Sequence, residues 1–550
     1  MTATVIEADY VIVGAGSAGC VLANRLSENG RYRVILLEAG GDDRPLHNLS
    51  QFRANALIHI PVGYAENVKS KQVIWDYHSE AEPGTDGRSH ALPRGRVLGG
   101  SSAINAMLYV RGQHSDYDLW SQLGATGWGW ADVLPYFRRA QHQTRGEDAF
   151  HGVGGPLHVS DTRDGLAVSQ AVIDSFAKLG IPEVKDINGA TQEGITWPQL
   201  TIRNGLRHSA ASAYLNPARK RHNLRIITNA VTQKILFENT RATGVLVLQN
   251  GQELLVKAHR EVLLAAGAFN SPQLLEISGI GGAARLASAG VQTVLDLPGV
   301  GENLQDHYMT IASLRLKQGH LTINELTKGF AILRQAIKFA LSRGGLLGQS
   351  SAQLLAFIRT KPELVGPDVQ MHITPASMKP ESINAKRMVA DDFPGLSFAP
   401  LQLRPESRGY VHIKSADVNT QPAIQFNFLQ AREDIEVQLA ALRLVQQVAA
   451  CEPLLGMVDR WLVPATPHAT EEEMLGYARQ IGTTVHHPVG TCRMGSDESA
   501  VVDPQLRLRG LQGLRVIDAS IMPRLVSGNT NAPVIMIAEK ASDIILQDAA

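Results

Sequence analysis

Cysteine is scarce in this chain: Cys20, Cys451 and Cys492 are its three, and none stands in a CxxC pair. That weighs against a disulfide framework and a structural zinc site, and fits a reducing compartment. Net charge is missing too, since 52 Lys and Arg balance 52 Asp and Glu at a pI near 7.3. Nucleic-acid binders carry a basic footprint, so that function is disfavoured. No apolar run reaches the roughly 18 residues needed to span a bilayer. The opening MTATVIEADYVIVGAG lacks a basic n-region and a cleavable apolar segment, so the expectation is a soluble, cytoplasmic protein. There is no internal repeat and no low-complexity tract. What remains is a chain of 550 residues, 44% hydrophobic and 19% charged, long enough for two cores.

Glycine, by contrast, recurs at informative spacings. In DYVIVGAGSAGCVLANRLSENGRYRVILLEAGG, Tyr10 to Val13 reads as a buried parallel strand, and Gly14, Gly16 and Gly19 follow as G-x-G-x-x-G. Gly14 suits a tight turn, Gly16 lets a pyrophosphate approach the backbone, and Gly19 lets helix and strand pack closely. A helical pattern through Val21, Leu22 and Leu26 ends at Asn29-Gly30, and YRVILLEAG is a second buried strand closing on Glu38. The helix N-terminus offers N–H groups and a positive dipole end to phosphates. Glu38, roughly 20 residues on, suits the ribose hydroxyls. The pattern predicts a dinucleotide site without distinguishing NAD from FAD.

Three further stretches are distinctive. GRVLGGSSAINAMLYVRG joins Gly99-Gly100 to Ser101-Ser102, a flexible hydroxyl-bearing turn suited to a polar ring. REVLLAAGAFNSPQLLEISGIG reads as a strand ending at Gly267 and a helix with Ser271-Pro272 in its first turn. LRVIDASIMP is a strand ending in Asp518, and GNTNAPVIMIAEKASDIIL begins a helix near Pro533 with Asn531 close to its cap. In GTTVHHPVGTCRMG, His486, His487 and Cys492 raise the question of a metal. Adjacent residues of an extended strand face opposite ways, and no further ligand stands at suitable spacing, so no metal is expected.

Gly95 to Asp118 and Gly267 to Gly281, with the N-terminal fingerprint, HHPVGTCRMG and GNTNAP, resemble the signatures of the glucose–methanol–choline (GMC) oxidoreductases. Those are FAD-dependent alcohol-oxidising enzymes, and the likeness covers all but roughly residues 317 to 400. The resemblance implies an α/β fold: a Rossmann-like FAD-binding domain and a discontinuous α+β substrate domain on an antiparallel sheet. Residues 1–158, 222–308 and 478–550 would form the first, and 159–221 with 309–477 the second. FAD contacts would come from Gly14, Gly16, Gly19, Glu38, Arg96, Gly99, Gly100, Ser101, Asn105 and Met107. Val231, Ala266, Asp518, Ala519 and Asn531 would supply the rest. Asn105 is an amide where some relatives carry a tethering histidine, so non-covalent FAD is expected.

Oxidising an alcohol removes a hydroxyl proton and a hydride, and the proton needs a base of near-neutral pKa. The resemblance places that base at His487, with His486 facing elsewhere, and places a substrate-holding amide at Asn529. Choline-oxidising relatives carry a Glu two residues after the His of QDH; here NLQDHYMT puts Met309 there. A cation would lack its electrostatic partner, so an aliphatic, aromatic or polyether primary alcohol is expected ahead of choline or a sugar, with Tyr308 and Met309 as an adaptable wall. The implied activity is oxidation to an aldehyde, electrons passing to a quinone or other carrier. A peroxide-forming oxidase and a hydroxynitrile lyase remain as alternatives.

Outside the motifs, LSFAPLQLRPESRGYVHIKS and AIQFNF alternate as in an antiparallel sheet with one covered face. EPGTDGRSHALPRG reads as a turn-rich surface loop. LTKGFAILRQAIKFALSR, residues 326–343, sets Phe330, Leu333, Ile337 and Leu341 on one helical face beside Lys328, Arg334, Lys338 and Arg343. The favoured reading is a helix covering the substrate sheet; the other is peripheral contact with the inner face of a membrane.

Overall fold

The computed structural model describes residues 4–47, 49–379, 389–467 and 469–549. Two sheets organise it, as the expected α/β class requires. The first has seven strands. Leu224–Ile227, Val34–Leu37, Thr4–Val13 and Gln252–Leu264 lie side by side and parallel, and Leu514–Val516 adds in parallel to Gln252–Leu264. Arg241–Gln249 and Ala230–Glu238 continue the sheet antiparallel. Val34–Leu37 is buried throughout, as a parallel strand covered on both faces should be.

Helix Ser17–Ser27 packs against helix Asn531–Asp548, which in turn meets Trp130–Ala140. Glu539 welds this layer. Its buried carboxylate accepts from Arg25 Nε at 2.9 Å, Arg139 Nε at 2.8 Å and the Tyr214 hydroxyl at 2.8 Å. Burial of a carboxylate is tolerable when each lone pair is met in this way.

The second sheet is antiparallel through Val458–Val463, Ala312–Leu316, Gly395–Gln402, Val369–Thr374, Leu354–Ile358 and Gly194–Thr196. Helix Arg432–Ala449 lies on Gly395–Gln402 and also meets Ala167–Lys178. Most of Gly395–Gln402 is buried, more than the alternation alone suggested, with Leu396 and Phe398 in one apolar cluster and Leu401 in another. Tyr410–His412 and Ala423–Gln425 form a separate ribbon.

Three local expectations need correction. Pro272 falls beyond the first turn of its helix, because that helix starts back at Gly267. The 82–95 segment is only in part a surface loop: Asp86 and Gly87 are exposed at its turn, but Glu82 is buried and accepts from the N–H groups of Phe426 and Asn427, and Ala91–Gly95 pairs with Ile74–His78. Its polar residues serve internal hydrogen bonds, which composition cannot reveal. Finally, helix Gly329–Ser342 does not cover the sheet with its apolar stripe: Phe330, Leu333, Ile337 and Leu341 are all exposed, and Phe339 is its buried residue.

Glu539→Ala strands two arginines and a tyrosine at once, so unfolding free energy should fall by roughly 3 kcal/mol, measured by chemical denaturation. Glu539→Gln, which can still accept from Tyr214, should lose less.

Candidate active site

Between the two sheets lies a cavity of about 1230 Å³. Its floor comes from the carboxyl ends of parallel strands, at Val13, Leu37 and Ala265, where open α/β sheets bind ligands. The volume exceeds the roughly 300–1,000 Å³ of drug-sized sites, leaving room for a dinucleotide and a small substrate together.

The dinucleotide end is built from missing side chains. A Cβ on Gly19 would stand 1.8 Å from the Gly14 carbonyl oxygen, and one on Gly100 would stand 2.7 Å from Gly16 Cα. A Cβ on Gly16 would meet nothing nearer than 3.9 Å and would occupy the cavity itself. This is a cradle for a group that must touch backbone, at the uncapped N-terminus of helix Ser17–Ser27. A second helix N-terminus converges on it, where Ser17 Oγ donates to Asn531 Oδ1 at 2.7 Å.

Glu38 lines the cavity and accepts from Ala15 N at 2.9 Å and Gly40 N at 2.8 Å. Burial pushes its pKa up to about 7 despite those donors. Asp518 also lines the wall while accepting from Gly267 N, Ser271 Oγ and Ser520 N, so it holds two turns in place. Gly14, Gly16, Gly100, Ser101, Asn105, Met107, Val231, Ala266, Ala519 and Asn531 all face the same space. Gly19, Gly99 and Arg96 stand behind it. Gly99 N donates to Ala15 O at 2.8 Å, and the Arg96 guanidinium lies over the ring of cavity-lining Trp75 at 4.3 Å.

At the other end a chain of hydrogen bonds sets the state of His487. His307 Nε2 lies 3.0 Å from the Leu403 carbonyl, which only accepts, so the proton is there. His307 Nδ1 is then an acceptor, and His487 Nδ1, 3.0 Å away, must donate to it. That leaves a lone pair on His487 Nε2, toward which Asn529 Nδ2 donates at 3.1 Å. Gln370 Nε2, donating to Asn529 Oδ1 at 3.1 Å, fixes the amide orientation. His487 and Asn529 both line the cavity.

Desolvation dominates the electrostatics. Burial, then His307, His372, His486 and Arg94, pushes the His487 pKa well below the ordinary imidazole range. Burial takes His307 down to about 3 and His372 down to about 4. The Asp306 carboxyl accepts from His487 N at 2.8 Å and from the Thr484 hydroxyl, and burial lifts its pKa to about 7.

His486 departs from expectation. It lines the same cavity as His487, because the backbone at 486 is left-handed with φ of 65° and no strand alternation applies. Tyr308 departs as well. Met309 reaches the cavity, whereas the Tyr308 hydroxyl donates to the Ala478 carbonyl at 2.8 Å, outside it. Sequence reasoning missed Arg94, whose Nη1 donates to the His486 carbonyl at 2.9 Å and whose Nε and Nη2 donate to Ser101 Oγ. The residue adjoins the GRVLGG stretch and could have been flagged there. Gln370 and His372 come from the 317–400 stretch that no motif marked. Among the described residues no cluster of three His, Cys, Asp or Glu side chains could hold a metal ion.

Residues 8–309 match one GMC oxidoreductase family model and residues 405–538 a second. The chain belongs to the GMC oxidoreductases. It is 42% identical to mitochondrial choline dehydrogenase of Homo sapiens over 98% of this chain and 90% of that one. It is 40% identical to the alcohol dehydrogenase [acceptor] of Pseudomonas putida over 98% of this chain and 96% of that one. Among solved structures, pyridoxine 4-oxidase from Mesorbium loti superposes with a TM-score of 0.86 at 32% identity, covering 97% of this chain and 98% of that one. This GMC oxidoreductase is therefore an FAD-dependent enzyme acting on CH–OH donors, and the glycine cradle above fits its cofactor.

The two critical glycines should fail differently. Gly19→Ala collides with backbone and should abolish soluble folded protein. Gly16→Val should fold with near-wild-type circular dichroism yet purify with little flavin absorbance, since its side chain occupies the cradle.

Proposed function

We propose that this enzyme oxidises an uncharged primary alcohol to its aldehyde, with His487 Nε2 taking the hydroxyl proton and Asn529 Nδ2 holding the substrate oxygen. The observation that carries this reading is the ordered chain Gln370, Asn529, His487, His307, Leu403, which leaves one imidazole lone pair aimed at an amide N–H inside the cavity. A hydroxyl oxygen that takes the place of their direct 3.1 Å contact and sits beside both can donate to Nε2 while accepting from Nδ2. FAD, when bound, supplies the two-electron acceptor for the hydride that leaves the same carbon. Its contacts would be the cavity-facing residues named above, with Glu38 toward the ribose and Gly16 toward the pyrophosphate. Asn105, on the wall at the position where some relatives carry the tethering histidine, is an amide, which supports non-covalent binding.

Substrate charge follows from the lining. Its carboxylates are Glu38 and Asp518, committed at the dinucleotide end, and Asp76, paired with Lys71 at 2.9 Å. Met309 stands where the resemblance puts the glutamate of choline-oxidising relatives. A quaternary ammonium would be desolvated without a counter-charge, whereas Leu108, Met309, Ile311 and Val485 suit an aliphatic or aromatic chain. The Pseudomonas relative, named for an unspecified acceptor, supports electron delivery to a quinone or carrier. The likeness to an oxidase structure favours oxygen as the second reading, and a hydroxynitrile lyase is the more distant one.

Anaerobic bleaching of the flavin by a panel of primary alcohols, with choline alongside, tests the reading. Faster bleaching by choline, or none by any alcohol, would overturn it. His487→Ala should slow bleaching by about 10²–10⁴-fold while retaining the visible spectrum.

The pH dependence has a definite sign. His487 must be neutral to act, and its pKa is lowered, so protonation sets in only below the ordinary value of about 6.5. The acid limb of kcat/KM should therefore lie below pH 6.5, and a limb above 7 would contradict the assignment.

A further inference from the structure

The helix Gly329–Ser342 is amphipathic the wrong way round for a helix of a protein core. Phe339 is buried, and Gln335 Oε1 accepts from Leu346 N, so that side faces the protein. On a helical wheel Phe330, Leu333, Ile337 and Leu341 lie opposite Phe339. These four are 82%, 49%, 51% and 84% exposed, a contiguous apolar stripe in water. Leaving such a stripe uncovered is costly and marks a contact surface.

The charges beside the stripe say what covers it. From Lys328 to Arg343 there are four cations and no Asp or Glu. Lys328 and Lys338 are partly offset by Glu325 and Asp164, and Arg334, adjoining the stripe, forms no ion pair among the described residues. A second copy docked by the same face across a two-fold would set Arg334 and Lys338 of each chain near their equivalents, which is repulsive. An anionic, half-apolar surface has the complementary character.

The geometry points to helix Gly329–Ser342 as a docking element for an anionic phospholipid bilayer, its apolar stripe in the acyl boundary and Arg334, with Lys338 beside it, at the headgroup phosphates, while the Arg343 guanidinium stays over the buried Phe339 ring at 5.2 Å. Its neighbours place the cavity close by. Leu346–Gly348 packs beneath the helix and against Pro61–Gly63, and the following turn carries Tyr64 and Val68 of the cavity wall. The Tyr64 and Ser351 hydroxyls join the two segments. The element would thus bring the cavity to the source of lipophilic molecules, an inference independent of which alcohol is oxidised.

Vesicle flotation of the holoenzyme tests it, with vesicles of phosphatidylcholine alone and of phosphatidylcholine with phosphatidylglycerol. The wild type should float with the anionic vesicles, less with the neutral ones, and less again in high salt. Leu333→Glu/Ile337→Glu should cut the floated fraction by about tenfold, leaving the flavin spectrum and bleaching in solution unchanged. Arg334→Gln/Lys338→Gln should weaken binding to anionic vesicles specifically. The proposal fails if the wild type stays at the bottom with both vesicle types, or if the Leu333→Glu/Ile337→Glu protein floats equally well. It also fails if light scattering shows a wild-type dimer that this variant dissolves and no lipid binding is seen.

Discussion

Backbone touches backbone at the centre of this molecule, and the rest is arranged around that contact. The turn at Gly14–Gly19, the turn at Gly99–Gly100 and the strand end at Ala265 approach so closely that side chains are excluded. Three parts of the chain, far apart in sequence, are held at one point by the absence of Cβ atoms. Because that point lies at the carboxyl ends of the parallel strands, the same constraint opens a cradle lined with N–H groups. The antiparallel sheet meets this space from the other side, at Met309 and His372.

The histidine end is built by the opposite means, through crowding of polar side chains away from water. Four histidines face or flank one small volume, and desolvation holds His307, His372, His486 and His487 neutral. Neutral imidazole has one donor and one acceptor, so a fixed partner at one nitrogen dictates the role of the other. The Leu403 carbonyl is such a partner, and its effect passes through two rings to the lone pair of His487. Asp306 fixes the backbone at the same residue. Direction, rather than strength, is what this network contributes.

Legibility from sequence followed the physics of each part. The dinucleotide turn was readable because glycine spacing, strand, helix and Glu38 all follow from local backbone geometry. The family signatures carried His487 and Asn529, and both face the cavity. What was hidden depended on long-range packing. Gln370 orients Asn529 from 159 residues away, and nothing near it in sequence marks that role. His486 was misread because a left-handed residue interrupts the alternation that the argument assumed. The helix at 329–342 was misread because periodicity reports which face is apolar and says nothing about which way that face turns. The 82–95 segment was partly misread because turn-forming residues are as useful inside a wall as on a surface.

Ser17 and Asn531 are 514 residues apart and share one hydrogen bond, where the first and last long helices of the fold aim their N-termini at a common place. The fingerprint turn is a local feature of the chain, whereas the helix it meets at Asn531 comes 514 residues later. The nucleotide cradle is consequently complete only once these two helices have docked. Flavin capture therefore waits on a long-range pairing, and loss of helix Asn531–Asp548 would remove part of the cradle along with the seam that Glu539 closes.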